Sequence, residues 1–270
     1  MTHSLQHSVK LLSASMFLIA TSGLPAASVV NWTVRENAFA GGSTPASDLN
    51  TASPVVGDGT SNSADGSSIF GTYSAYTLSS VGDTLTLSGS VTLSGTVASP
   101  VAGQFRWALY DVNGSSDDTG WLGYFASSGS DIGQGKINER DPASTGSAWY
   151  MASGGGNDIA NIAAPGTGNY ANDGTYSFIL TLERTAGGLQ IDSSLIRDSD
   201  SVQFGSGSVE DTSVQTFTFN RAGFLMGGAL DADRASFSNI DVTYTPIPEP
   251  SASILSLLGA CALLLHRRRR

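Results

Sequence analysis

Histidine and cysteine are almost missing from this chain of 270 residues: His3, His7 and His266 are its histidines and Cys261 its one cysteine. All four lie in the terminal segments, so residues 28–246 contain neither side chain. A single thiol excludes an intrachain disulfide. A Ser-His-Asp triad, a Cys-His nucleophile pair and a zinc site of His or Cys ligands are likewise excluded from that stretch. What remains is carboxylate chemistry, an oxygen-ligated cation, or binding without chemistry. Positive charge is scarce as well. Residues 28–246 hold 8 basic side chains, seven Arg and Lys136, against 22 acidic ones, a net charge of −14. Such a surface repels phosphate backbones, so nucleic acid is a poor partner and none is expected.

A 3.6-residue period is also missing between the termini, and Gly154-Gly155-Gly156 and Pro165-Gly166-Thr167-Gly168 would break a helix. What is present is a period of two. In DTLTLSGSVTL from Asp83, Leu85, Leu87, Val91 and Leu93 share one parity, while Thr and Ser fill most of the other. Alternation of this kind predicts a half-buried strand. It returns at Phe105, Trp107 and Leu109, and at Tyr176, Phe178, Leu180 and Leu182. After Ala186-Gly187-Gly188 it resumes at Leu189 and Ile191, which predicts a hairpin with a glycine turn. Thr216 to Phe219 and Ile240, Val242 and Tyr244 continue the series, and Phe237, out of step with the last, predicts a bulge near Ser238-Asn239. Residues 40–67 are rich in Gly, Ser, Thr, Asn and Asp and predict a long loop after a first strand, Val29 to Val34. The expected fold is all-β, a two-sheet antiparallel β-sandwich of about ten to twelve strands over residues 28–245.

Processing signals flank this domain. Residues 1–27 predict a secretory signal peptide: Lys10 supplies positive charge, LLSASMFLIA at 11–20 the apolar stretch, and Leu24-Pro25-Ala26-Ala27-Ser28 the small-residue exit. The segment 246–270 opens with Pro246-Ile247-Pro248-Glu249-Pro250, continues as the apolar run Ser251 to Leu265, and ends in His266 and Arg267, Arg268, Arg269 and Arg270. The prolines make a stiff linker, the Leu- and Ala-rich run predicts an apolar helix, and the arginines would stay cytoplasmic. A run of fifteen residues falls short of the roughly 20 that a stable span needs, which suits a temporary membrane hold.

Pro248, Glu249 and Pro250, the apolar helix and the terminal arginines together resemble the PEP-CTERM sorting tail of Gram-negative bacteria. The resemblance implies that an exosortase, a multispanning membrane enzyme, reads the tripeptide and processes the tail during export. The implied partners are the exosortase and the inner membrane, with the cell surface or extracellular matrix as destination, often beside extracellular polysaccharide. An ordinary membrane anchor would give the same topology without processing.

Residues 69–244 carry a second likeness. Phe105-Arg106-Trp107-Ala108-Leu109-Tyr110, the Tyr176–Ile191 hairpin and Phe237-Ser238-Asn239-Ile240-Asp241-Val242 resemble concanavalin-like, laminin-G-like jelly rolls of exported bacterial proteins. That fold hosts lectins, adhesive modules and polysaccharide hydrolases alike. The hydrolases carry a Glu-x-Asp-x-x-Glu strand motif that this sequence lacks.

Two constellations merit attention as sites. Asp111, Asn113, Asp117 and Asp118 form an oxygen-rich stretch after a strand, with Gly114 permitting a turn. Calcium takes six to eight such oxygens, although these are also ordinary turn residues and the spacing is not that of an EF-hand. Trp121 and Tyr124, with Trp149 and Tyr150, are aromatics beside loop-like segments that could stack on sugar rings or fill a core. The expected function is therefore a non-catalytic structural or glycan-binding role outside the cell. The alternative is a carboxylate-dependent polysaccharide-active enzyme on the same fold.

Overall fold

A segment with a period of two buries one face and pairs its backbone groups with neighbouring strands, so the alternating segments can be satisfied only in sheets. The computed structural model describes residues 26–35, 47–49, 51–60, 63–95, 105–115, 120–128, 135–140, 156–162, 170–227 and 230–247. All fall within the unit Leu24–Glu249. The first strands are β1 (Ala27–Ser28), β2 (Val30–Arg35), β3 (Ser47–Asp48), β4 (Val55–Val56) and β5 (Ser68–Thr77). Then come β6 (Thr84–Ser94), β7 (Phe105–Asp111), β8 (Leu122–Ser127), β9 (Gly135–Arg140) and β10 (Gly156–Ile162). The last are β11 (Gly174–Arg184), β12 (Leu189–Arg197), β13 (Gln203–Asp211), β14 (Thr218–Met226) and β15 (Arg234–Thr245). These fifteen exceed the expected ten to twelve because β1, β3 and β4 are two-residue strands. Two of them, β3 and β4, lie in the stretch 40–67 expected as a loop. The sorting motif, the apolar run 251–265 and residues 1–25 lie outside the described residues, among which there is no α-helix.

The strands form two antiparallel sheets. One has eight strands in the order β13-β12-β11-β6-β15-β4-β3, with β1 also on β15; the other has seven, β10-β9-β8-β7-β14-β5-β2. The chain crosses between sheets at β5, β6 and β7, winds through β7 to β10 in one and β11 to β13 in the other, and returns. On its return β14 lies between β5 and β7, and β15 pairs with β6. Early and late strands are thus neighbours in both sheets, which is jelly-roll winding.

The inward faces meet in one aromatic core. Phe224 of β14 lies 4.6 Å from Phe237 of β15 and 5.0 Å from Phe178 of β11, centroid to centroid. Gly89 of β6 faces this cluster, and a Cβ there would come within 2.7 Å of Cζ of Phe178. Trp107 of β7 crosses the core to donate its indole N–H to the Ile179 carbonyl at 2.9 Å, tying the sheets together.

The expected hairpin is β11 with β12, in register from Tyr176 opposite Arg197 to Arg184 opposite Leu189. The expected bulge is present too: the β15–β6 register shifts between Ser238 and Asp241, and Asn239 has φ +53°. It lets Phe237 and Val242 both face the core, which strict alternation forbids at that spacing. Beyond β15 the chain is held by Asp83, whose carboxylate accepts the Ile247 amide (2.8 Å), the Ser79 and Ser80 amides (2.8 Å each) and the Tyr244 hydroxyl (3.1 Å).

Candidate functional site

Of the residues expected to hold calcium, Asp111 and Asn113 are among the described residues. Asp111 ends β7, where its Oδ1 accepts the Asn113 amide at 2.9 Å and its Oδ2 the Thr216 hydroxyl at 3.0 Å. Asn113 (φ +48°) and Gly114 (φ +70°) complete a tight turn. The Asp111 side chain is thereby engaged in a side-chain-to-backbone turn of the ordinary kind. Asp117 and Asp118 lie outside the described residues. No group of three or more Asp, Glu, His or Cys side chains fit to hold a metal occurs among the described ones.

The exposed-aromatic expectation is corrected at two positions. Trp121 is 5% exposed and Tyr124 is fully buried, so neither presents a ring face to a sugar. Trp121 is closed in by Phe70, perpendicular at 4.9 Å, and by Tyr110 at 6.0 Å. These rings lie on the side of the seven-stranded sheet that faces away from the other sheet, where with Ala108, Phe125 and Leu225 they form a second apolar cluster. Trp149 and Tyr150 lie outside the described residues.

That same face collects cations. By register Arg106, Ser127 and Lys136 form one row across β7, β8 and β9, and Arg221 lies opposite Tyr110. Arg140, at 2% exposure, extends the set. Burial pushes the Arg106 guanidinium down to about 10. Nothing in the local sequence marks this gathering, because the residues come from three separate strands.

Tyr124 points the other way, into the core, and brings two carboxyl groups together. Its hydroxyl lies 2.6 Å from Asp211 Oδ2 and 3.4 Å from Glu139 Oε1. Asp211 also accepts the Ser213 amide (2.8 Å) and hydroxyl (2.9 Å), and Glu139 accepts the Gln215 amide (3.2 Å). Burial first, then the nearby Asp211 charge, raises the Glu139 carboxyl above the usual range, against the bonds from Gln215 and Tyr124 that lower it. Burial and the two carboxylates push the Tyr124 hydroxyl far above the ordinary phenol value, so it stays protonated as a donor. The arrangement clips β8 and β9 of one sheet to the end of β13 in the other. Glu139 and Asp211 are each 5% exposed.

An open cavity of about 270 Å³ lies elsewhere, lined by Val30, Asn31, Trp32, Leu49, Thr51 and Ala52. Three of these belong to β2, the outermost strand of the seven-stranded sheet, and three follow β3, the outermost strand of the other. The sequence offered no signal for it beyond Trp32 in the first long strand.

No protein-family model matches the chain, and no curated protein sequence matches it. Solved structures with a similar course of chain include an endo-1,3-beta-glucanase from Streptomyces sioyaensis, 12% identical, covering 87% of this chain and 100% of that one with a TM-score of 0.47. The lectin UEA-II, solved with galactose, is 10% identical over 82% of this chain and 96% of its own, also at 0.47. Arcelin-5, a lectin-like defence protein from Phaseolus vulgaris, is 10% identical over 80% and 92%, at 0.46. The assignment as an antiparallel jelly-roll sandwich rests on the sheet order itself.

Proposed function

We propose that this chain is an exported cell-surface or matrix protein whose sandwich contacts polysaccharide without turning it over. Delivery follows from the termini: residues 1–27 start export, and Pro248-Glu249-Pro250 with the apolar run and Arg267–Arg270 present the chain to an exosortase at the inner membrane. The observation that carries the non-catalytic reading is the fate of Glu139 and Asp211. The two are joined through one tyrosine, but they are sealed in the core and occupied by Tyr124, Ser213 and Gln215. A retaining or inverting glycosidase needs both carboxyls open on either side of the scissile bond. Residues 28–246 also hold no histidine or cysteine from which a Ser-His-Asp triad or a thiol nucleophile could be built.

A glycan array and a panel of polysaccharide digestions on the exported protein test this reading. Binding without turnover is expected. Turnover that disappears in Glu139→Gln or Asp211→Asn would establish the carboxylate-dependent enzyme instead. For delivery, alanines in place of Pro248-Glu249-Pro250 are expected to leave translocation intact and to block tail removal. Mass spectrometry of the mature C-terminus decides it, because wild-type protein that keeps Arg267–Arg270 outside the cell is not a sorted substrate.

A further inference from the structure

The chain leaves β15 at an end of the sandwich that is tied together by backbone bonds. Three connections meet there: β5 to β6 through residues 78–83, β11 to β12 through 185–188, and β13 to β14 through 212–217. The Leu78 amide donates to the Phe217 carbonyl at 2.9 Å, the Gly82 amide to the Arg184 carbonyl at 2.7 Å, and the Arg184 amide to the Asp83 carbonyl at 2.9 Å. Ile247 is bound into this frame by Asp83, which accepts its amide at 2.8 Å and is itself 2% exposed. The Ile247 side chain lies on Gly82, where a Cβ would come within 2.7 Å of its Cγ1. Only Pro248, Glu249 and Pro250 then separate this fixed residue from the start of the apolar run at Ser251.

Apolar surface is left in water at that spot. Among the described residues four large apolar side chains are exposed: Val30, Val81, Ile179 and Ile247. Two of the four, Val81 at 58% and Ile247 at 47%, flank Gly82, whereas Ile179 stands in the middle of β11. Chain length says what lies beside the pair. As the helix expected for it, the run of fifteen residues is about 22 Å long, against about 30 Å of bilayer hydrocarbon. With its far end held by Arg267–Arg270, its near end stops about 8 Å short of the hydrocarbon boundary. The four Cα steps from Ile247 to Ser251 span at most about 14 Å, so about 6 Å remain above that boundary. The headgroup layer is itself about 5 to 8 Å thick. Ile247 therefore reaches no higher than the headgroups, and its end of the sandwich, not a side or the opposite end, faces them.

We infer that this end of the sandwich, through Val81 and Ile247, rests on the lipid surface of the inner membrane while the tail is inserted. The inference rests on the membrane reading of the tail above and adds the surface by which the folded domain meets the bilayer. The tail supplies the attachment. Two apolar side chains alone bind lipid weakly, but so short a tether keeps them at high effective concentration beside it. The contact is apolar, not electrostatic. Arg184 is the one basic residue in 78–83, 184–188, 212–217 and 244–247. Its guanidinium lies 3.7 Å from the Phe217 ring centroid and donates to the Leu78 carbonyl at 3.1 Å. Glu210, exposed nearby, accepts the Thr185 hydroxyl at 2.6 Å, so anionic lipid gains no attraction here. By holding Ile247, Asp83 keeps Pro248-Glu249-Pro250 at headgroup level, within reach of an enzyme embedded in the membrane.

The test uses the chain with its tail intact and Cys261→Ser, carrying a spin label at Val81→Cys or, as control, at Ile179→Cys. Both positions are exposed, so the labels leave the fold in place, which thermal unfolding checks. The probes are vesicles of phosphatidylcholine, alone or mixed with phosphatidylglycerol. Flotation with the vesicles reports tail insertion, and accessibility of the label to a water-soluble nickel chelate, against oxygen, reports its depth. On vesicle binding the label at 81 is expected to lose chelate accessibility several-fold, equally with and without phosphatidylglycerol, while the label at 179 keeps it. A Gly/Ser insert of about ten residues after Ile247 adds about 17 Å of reach and should restore that accessibility without loss of flotation. Protein that floats with its label at 81 as accessible as that at 179, or that is unaffected by the insert, overturns the contact and leaves the membrane reading of the tail standing. Loss of accessibility only with phosphatidylglycerol overturns the apolar contact in favour of an electrostatic one. Protein that does not float overturns both the contact and the membrane reading.

Discussion

The two sheets treat their outward faces in opposite ways. On the eight-stranded sheet that face is a wet ladder of hydroxyls: Thr86 meets Thr181 at 3.1 Å and Thr92 meets Thr175 at 2.9 Å across β6 and β11. Ile179 in the same field is 44% exposed. On the seven-stranded sheet the corresponding face is closed, with Tyr110, Trp121, Phe125 and Leu225 packed among Arg106 and Arg140. A sheet with one face in water alternates apolar and polar residues, whereas a sheet buried on both sides does not. The contrast accounts for how differently the strands read, from clean alternation in β6 to near-continuous burial through β7, β8 and β9.

Truncations at matched positions break or sharpen this contrast. Phe224→Ala in the core between the sheets should cost about 3 to 5 kcal/mol, and Phe125→Ala on the outward face nearly as much if that face is a second core. At about 2 to 4 °C per kcal/mol the loss is easily read as a melting shift. Thr181→Val on the other outward face should change stability by no more than about 0.5 kcal/mol. A Phe125→Ala effect as small as that of Thr181→Val would erase the difference between the faces.

Removal of the Tyr124 hydroxyl comes next. Tyr124→Phe leaves Glu139 and Asp211 facing each other without the shared donor and should cost about 1 to 3 kcal/mol, measured by chemical denaturation. An unchanged midpoint would mean that the clip between β8, β9 and β13 contributes nothing.

Two aspartates give smaller effects with opposite pH slopes. Burial raises the Asp83 carboxyl, but the Ser80 and Ile247 amides, the Tyr244 hydroxyl and the Ser79 amide outweigh it and hold it below its usual range. Its contribution is present above the unfolded value near 4 and is lost as pH falls through the lower folded value. Asp83→Asn should cost about 1 to 2 kcal/mol at neutral pH and reduce the acid sensitivity. Burial pushes Asp65 up to about 6, helped by Asp231 and Asp233 and only partly countered by the Ala232 and Asp231 amides. It keeps its proton longer when folded, so its stability contribution is greatest below about 4 and declines as pH rises toward 6. Asp65→Asn should flatten that decline in a series of melts from pH 4 to 7, and an unaltered slope would show that another group causes it.

The legible parts of the fold were those with one wet face. The alternation of Leu85 to Leu93, the β11–β12 hairpin and the slip at Ser238-Asn239 could all be read along the chain, because local backbone geometry forces them. Trp121 and Tyr124 were ambiguous for the opposite reason. They sit three residues apart, Trp121 just before β8 and Tyr124 within it, at a part of the sheet buried on both sides, so they point to different faces and neither meets water. Glu139 and Asp211, 72 positions apart, share a tyrosine only because β9 and β13 are brought together where the two sheets meet. The Trp32 cavity needs a register slip in β2 and the outer strand of the other sheet beside it. Pairings of this kind depend on distant partners that no window of sequence contains.

Composition and period alone determined that the chain between its termini is acidic, is built on strands and has in residues 28–246 no imidazole or thiol with which to work, since those follow from what each residue is and from its neighbours along the strand. Which residues face which, that one outward face is closed, that two carboxyl-bearing residues are buried, and that the Trp32 indole N–H is buried without a partner were decided by tertiary structure. The reason is physical: burial and hydrogen-bond satisfaction are properties of the packed sheets, and the same Trp, Asp or Glu can be a binding group or a structural one according to what the other sheet places against it.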